Sequence, residues 1–256
     1  MSLDLKERSQ RRMRLLIAVL VCVVVLLVAL VVAVATAGDD GDDKAKGGRD
    51  GGTSAQPEPS ASASTLPEDD GYTDPDTWIK LPKGDGKENG LPVEFPHTVR
   101  GAAAMAVAAN RNAWTFDKDA VKRGAETYTV AQYRAPMAKQ AAASAAAVAQ
   151  FAGVPSGQTP PKDATINGAP IGVQWKQISK DRVQVFTLTR ITSSAGDGAE
   201  SKTRLQAVPA EVVWEGGDWK TTPTPKGGTP EAPEPADLGS SKFSELGWKA
   251  IQEGDR

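Results

Sequence analysis

Cysteine and histidine are almost missing from this chain: its 256 residues include one of each, Cys22 and His97. A disulfide within the chain is therefore impossible, and no Cys/His zinc set can be assembled. Cys22 lies inside an apolar run, which also excludes a Cys–His pair in one fold. Aromatic residues make up only 5%, whereas Gly (25) and Pro (18) are plentiful. Large side chains cannot fill a core over the whole length, so much of the chain must be spacer. No Walker A sequence occurs, which excludes a P-loop motor. No pattern for a cofactor or a metal is found. The run Asp39-Asp40-Gly41-Asp42-Asp43 lacks calcium-loop spacing and reads as solvated spacer.

What the chain does have is one long apolar run. Residues 15–37 carry no charge, and 16 of these 23 are Leu, Ile or Val. At about 1.5 Å per residue they reach roughly 35 Å, enough to cross a hydrocarbon core of about 30 Å as a single transmembrane helix. Lys6, Arg8, Arg11, Arg12 and Arg14 precede the run, and Asp39, Asp40, Asp42 and Asp43 follow it. Positive charge resists translocation, so residues 1–14 are expected as a cytoplasmic stub and everything after the run as extracytoplasmic. The rival reading is a cleaved signal peptide ending at Ala35-Thr36-Ala37, which leaves the remainder outside as well.

Residues 38–90 hold 13 acidic and 6 basic side chains and few large apolar ones, so they are expected as a disordered acidic tether. Tyr72, Trp78, Ile79 and Leu81 interrupt it, either as a strand or staple on the domain or with no order. Gly84-x-Gly86 is not a phosphate loop, because no strand precedes it and the third glycine is missing. Residues 91–222 hold 15 basic and 11 acidic side chains, dispersed along the chain. That is a solvated surface and not a nucleic-acid footprint.

Residues 91–222 suit one domain. Thr98 is placed to cap a helix over residues 99–112, and residues 119–127 predict a second. Thr129 is expected to cap a third over 130–152, kinked or broken near Pro136 and ended by Gly153. Strand alternation follows in Ile171-x-Val173-x-Trp175 and in Val183-x-Val185, with Phe186 and Leu188 continuing on the opposite phase. It returns in Thr203-x-Leu205-x-Ala207 and Val212-x-Trp214, with a bend or edge expected at Pro209. Gly216-Gly217 marks a tight hairpin. Helices followed by strands give an α+β fold, with N-terminal helices packed on a curved antiparallel sheet.

The closing run Val213-Trp214-Glu215-Gly216-Gly217-Asp218-Trp219-Lys220 resembles the terminal hairpin of the NTF2-like (cystatin-like) cone fold. Phe95-Pro96-His97-Thr98-x-x-Gly101-Ala102-Ala103 resembles the start of the first helix in actinobacterial extracytoplasmic proteins encoded with conjugative elements. Those are similar in layout to the periplasmic scaffold subunits of type IV secretion systems. The resemblance implies a bitopic, non-enzymatic scaffold at the cell membrane, with protein partners in the envelope and a homo-oligomer among the open possibilities.

Candidate site residues follow from the aromatics. Trp175, Trp214 and Trp219 alternate on strands, and either line a ligand cavity or fill the core. His97 would need a positioned carboxylate to act as a base, and at a helix start it reads as a packing residue. Asp117, Asp119 and Asp163 read as caps and solvated loop positions. Residues 223–239 are a Pro-rich spacer. In the last segment, 240–256, Phe243, Leu246 and Ile251 share a helical face with Trp248 nearby. This short helix docks on its own domain, anchors in a partner's groove, or stays frayed. The functional expectation is an interaction or scaffold module in a transfer apparatus. The alternative is a membrane-tethered receptor for a small apolar or cell-wall ligand.

Overall fold

Thr98 leaves the extended backbone and accepts a hydrogen bond from Gly101 N at 3.0 Å, and the first helix starts there. In the computed structural model, which describes residues 72–223 and 230–252, this helix is α1, Val99–Ala113. Its inner face is Ala102, Ala103, Met105 and Ala106, all buried, and small side chains let it lie close against a sheet. Three more helices follow: α2 (Lys118–Tyr128), capped by Asp117, then α3 (Ala131–Lys139) and α4 (Ala141–Phe151). The described residues belong to one compact unit, Asp69–Arg256.

The expected single helix over 130–152 is two. Pro136 is accommodated inside α3, and the chain breaks instead at Gln140. The break turns the alanine row Ala141, Ala145 and Ala149 toward the protein, whereas α3 buries no residue. Thr129 does not cap α3. It bridges to Thr221, and the free N–H of Ala131 is taken by the Glu215 carboxylate at 2.7 Å.

The strands are β1 (Trp78–Ile79), β2 (Gly86–Glu88), β3 (Leu91–Val93), β4 (Thr165–Ser179), β5 (Arg182–Ser194), β6 (Lys202–Glu215), β7 (Asp218–Thr222) and β8 (Lys249–Ile251). A short fifth helix, α5 (Ser241–Glu245), precedes β8. Six strands form one sheet in the order β1-β8-β4-β5-β6-β7, and β2 pairs with β3 separately. Asn89 and Gly90 both take positive φ, the geometry of a tight hairpin turn between β2 and β3. Gly84 serves close backbone approach, since a Cβ there would lie 2.3 Å from Val93 O. Order therefore begins within the stretch expected as tether.

The fold-class expectation is corrected in two respects. The sheet is mixed and not wholly antiparallel, because β1 runs parallel to β8 while the other neighbours are antiparallel. The sheet is also covered on both faces, and not by the N-terminal helices alone. In addition, no helix among the described residues is long and apolar enough to cross a membrane. The expected span at 15–37, the stub at 1–14 and most of the tether lie outside the described residues.

Two clusters show how both faces are filled. Val173, Val183, Val185, Val212 and Trp219 face α1. Phe186, Leu188, Phe243, Trp248 and Ala250 form the other cluster. The phase change between Val185 and Phe186 is therefore a strand buried on both sides. A register shift between Pro170 and Gly172 lets Ile171 pack with the second cluster although Val173, two residues on, belongs to the first. β6 runs unbroken through Pro209. β7 pairs only with Glu211–Glu215 of that strand, so Pro209 lies where no ladder bond to β7 is needed.

Candidate functional site: a groove beside the single histidine

The α1 start, the β4–β5 turn and the β6–β7 hairpin converge on His97. Gly216 and Gly217 take positive φ, and the tight turn they make sets Trp214 opposite Trp219 in the ladder. His97 stacks on Trp214 with ring centroids 4.0 Å apart and planes 12° from parallel, and meets Trp219 edge-on at 5.4 Å. Its Nε2 lies 2.8 Å from Asp181 Oδ1, both side chains being partly exposed. Trp219 is buried and its indole N–H donates to Pro96 O at 2.9 Å, which fixes the start of α1 to β7.

Beneath this stack lies a buried ionic network. Asp218 Oδ1 accepts from Phe95 N at 3.0 Å and from its neighbour Trp219 N at 2.8 Å. Its Oδ2 accepts from Lys220 Nζ at 3.1 Å, and Lys220 also donates to Thr127 O at 2.9 Å. Arg182 pairs in the same way with the buried Glu211 carboxylate. Tyr128 donates its hydroxyl hydrogen to Pro92 O at 3.1 Å. Burial, and secondly the Asp218 charge, push this phenol above the ordinary tyrosine value of 10.0. Since the folded-state value exceeds the unfolded one, the contribution is complete below about pH 10 and is lost as pH rises beyond it. Urea midpoints should therefore fall more steeply above about pH 10 in the native chain than in Tyr128→Phe. Equal slopes would contradict this burial.

A groove of about 640 Å³ opens beside the stack, lined among others by Tyr133, Ser179, Asp181, Arg182, Trp214 and Glu215. It places two aromatic rings next to two carboxylates. Of the three expected cavity tryptophans only Trp214 lines it. Trp219 is 5.3 Å from Trp214 but faces the core, and Trp175 carries Lys249 Nζ 4.9 Å above its ring. The three do not enclose a common cavity. Among the expected partner anchors, Phe243, Trp248 and Ile251 are buried within the chain's own domain, and Leu246 packs partly against them. These side chains do not face a partner's groove here: Phe243, Leu246 and Trp248 bury their area on the second sheet face, and Ile251 packs in the first cluster.

Asp117 accepts from Asp119 N at 2.8 Å at the start of α2, and Asp163 accepts from Asp197 N at 2.8 Å in a loop. Among the described residues, no three His, Cys, Asp or Glu side chains converge on a point. Asp181, Glu215 and the Asp218–Lys220 pair are not legible as a cluster in the sequence. The available signal was Asp218 and Lys220 flanking a tryptophan at a strand start.

Fold and site together define an α+β domain with a mixed sheet and an aromatic–carboxylate groove at one end of it. The family model described as "Domain of unknown function (DUF8175)" matches residues 85–241, more than half of the chain, and the chain belongs to that family. No curated protein and no solved structure matches it.

Proposed function

We propose that this chain is a non-enzymatic interaction module, held at the cell membrane by residues 15–37 with its folded domain on the outer side, where the groove beside His97 contacts a protein partner. The observation that carries the reading is the way the single imidazole is used. His97 has the carboxylate partner that a base would need, Asp181 at 2.8 Å from Nε2, but Trp214 is stacked on its ring at 4.0 Å, so His97 is read as joining the α1 start to the hairpins, and what the groove offers is contact chemistry. Tyr and Trp beside charged groups are the composition of anchoring positions in protein interfaces. The basic stub and acidic flank around residues 15–37 support the orientation. The likeness of residues 95–103 to proteins of conjugative elements supports an envelope transfer assembly as the setting.

Gln132 is exposed at the groove rim and Tyr133 lines the groove. The pair Gln132→Arg and Tyr133→Ala should lose copurifying envelope proteins roughly tenfold while the melting temperature stays close to that of the native chain. Unchanged partners with an intact domain would count against the groove. The volume of about 640 Å³ also suits a small ligand, and this is the second reading. Thermal shifts with cell-wall fragments that vanish in the same variant, with partner capture unchanged, would favour it.

A further inference from the structure

Trp175 and Trp214 both pack, half-buried, against the first cluster, yet their rings meet different company. Lys249 Nζ lies 4.9 Å above the Trp175 ring, much as the Arg204 guanidinium lies 5.0 Å above Phe151. A cation so placed is drawn to the negative face of the ring. Among the described residues no cation lies over Trp214 or Tyr133, the two rings that line the groove beside His97. What stands beside them instead is a pair of carboxylates, Asp181 and Glu215.

Each carboxylate keeps an oxygen to spare. Asp181 Oδ1 meets His97 Nε2 at 2.8 Å and Glu215 Oε1 accepts from Ala131 N at 2.7 Å, while Oδ2 and Oε2 have no partner among the described residues. The basic groups nearby do not cancel them. Arg182 also lines the groove, but it is committed to the buried Glu211. Lys220 is buried and paired with Asp218, and neither Lys180 nor Arg134 lines the groove. The groove therefore presents ring surface and negative charge together. His97 stacks on Trp214 and Trp219 meets it edge-on, so the indole is held in place before anything binds.

We propose that the groove takes a lysine or arginine side chain of the protein partner, its stem laid on Tyr133 and Trp214 and its cationic head between Asp181 and Glu215. Long basic side chains join an apolar stem to a charged head, and the groove offers both, rings for the stem and carboxylates for the head. An acidic or wholly apolar segment would instead leave these carboxylates desolvated and unpaired. The volume of about 640 Å³ exceeds one side chain, so backbone on either side of the basic residue lies along Gln132, Ser179 and Thr222, whose amide and hydroxyl groups can pair with it. The inference rests on the groove reading above and adds the chemistry of the partner to it.

The test uses the full-length chain in its native membrane, with a photo-activated crosslinker at Gln132. Asp181→Asn combined with Glu215→Gln removes both charges and keeps an acceptor for His97 and for Ala131 N. The protein adduct should fall about tenfold in this variant, with a melting temperature near that of the native chain. In the unaltered groove, the peptide Gly-Arg-Gly should compete the adduct away at concentrations where Gly-citrulline-Gly, of nearly the same shape but uncharged, does not. Equal effects of the two peptides overturn the inference, whether or not the variant folds, and so does an adduct undiminished in a folded variant. Either result leaves the groove reading standing. No adduct from Gln132 in the native groove removes that reading, and the inference with it.

Discussion

Replacing Trp248 with alanine is expected to lower the unfolding free energy by about 3–5 kcal/mol. For a domain of this size that corresponds to a fall in melting temperature of roughly 10 °C. The indole is 2% exposed and closes the second cluster together with Phe243, which is 0% exposed. Its truncation opens a cavity between residues 230–252 and β5, and it also leaves Glu234 O without its N–H donor. The internal control is Trp78, which is 46% exposed on β1. Trp78→Ala should change stability by no more than about 0.5 kcal/mol. A Trp248→Ala chain that unfolds no earlier than the Trp78→Ala chain would mean that residues 230–252 do not cover the sheet.

The second large effect concerns Asp218. Asp218→Ala removes the acceptor of two backbone N–H groups and the counter-ion of a buried lysine. Leaving one charge of a buried pair without its partner costs about 3–5 kcal/mol, far more than deleting the pair together. Asp218→Asn keeps an acceptor for Phe95 N and should cost less. Adding Lys220→Met to Asp218→Ala should recover part of the loss, since no uncompensated charge then remains. Denaturant midpoints for the three variants measure this. A double variant less stable than Asp218→Ala alone would contradict the pairing as described.

Local chemistry was legible in the sequence, and long-range placement was not. Thr98 as a cap, Gly153 at a helix end and Gly216-Gly217 as a hairpin each depend on a few neighbouring atoms, and each sits where its backbone preference puts it. Asn89-Gly90 is an equally strong turn signal. It lies in an acidic, glycine-rich stretch whose composition reads as spacer, and that composition masked it. Ile171 shows another limit, since period-two alternation cannot reveal a bulge and one extra residue moves a side chain to the opposite face. The parallel pairing of β1 with β8 joins two short strands from opposite ends of the described chain. Neither segment carries a pattern long enough to announce its partner.

The candidate site was partly legible for the same reason. Trp214 and Trp219 stand out as strand aromatics, but the partner of His97 is Asp181 on a turn, brought near by the β4–β5 hairpin. The phase switch after Val185 was visible, but that it marks a strand buried on both faces was not drawn from it. What covers the second face was open, because a short helix with one apolar side packs equally well at home or on a partner. In the structure it packs at home, on Gly172, whose missing side chain makes room for the Phe243 ring.

The central functional claim is that the groove beside His97 meets a protein partner. The direct measurement places a photo-activated crosslinker at Gln132, on the groove rim, in the full-length chain in its native membrane, with Lys202 at the far end of β6 as the control. The account predicts a discrete protein adduct from Gln132 that is missing from Lys202. The same adducts from both positions, or none from Gln132, would contradict it.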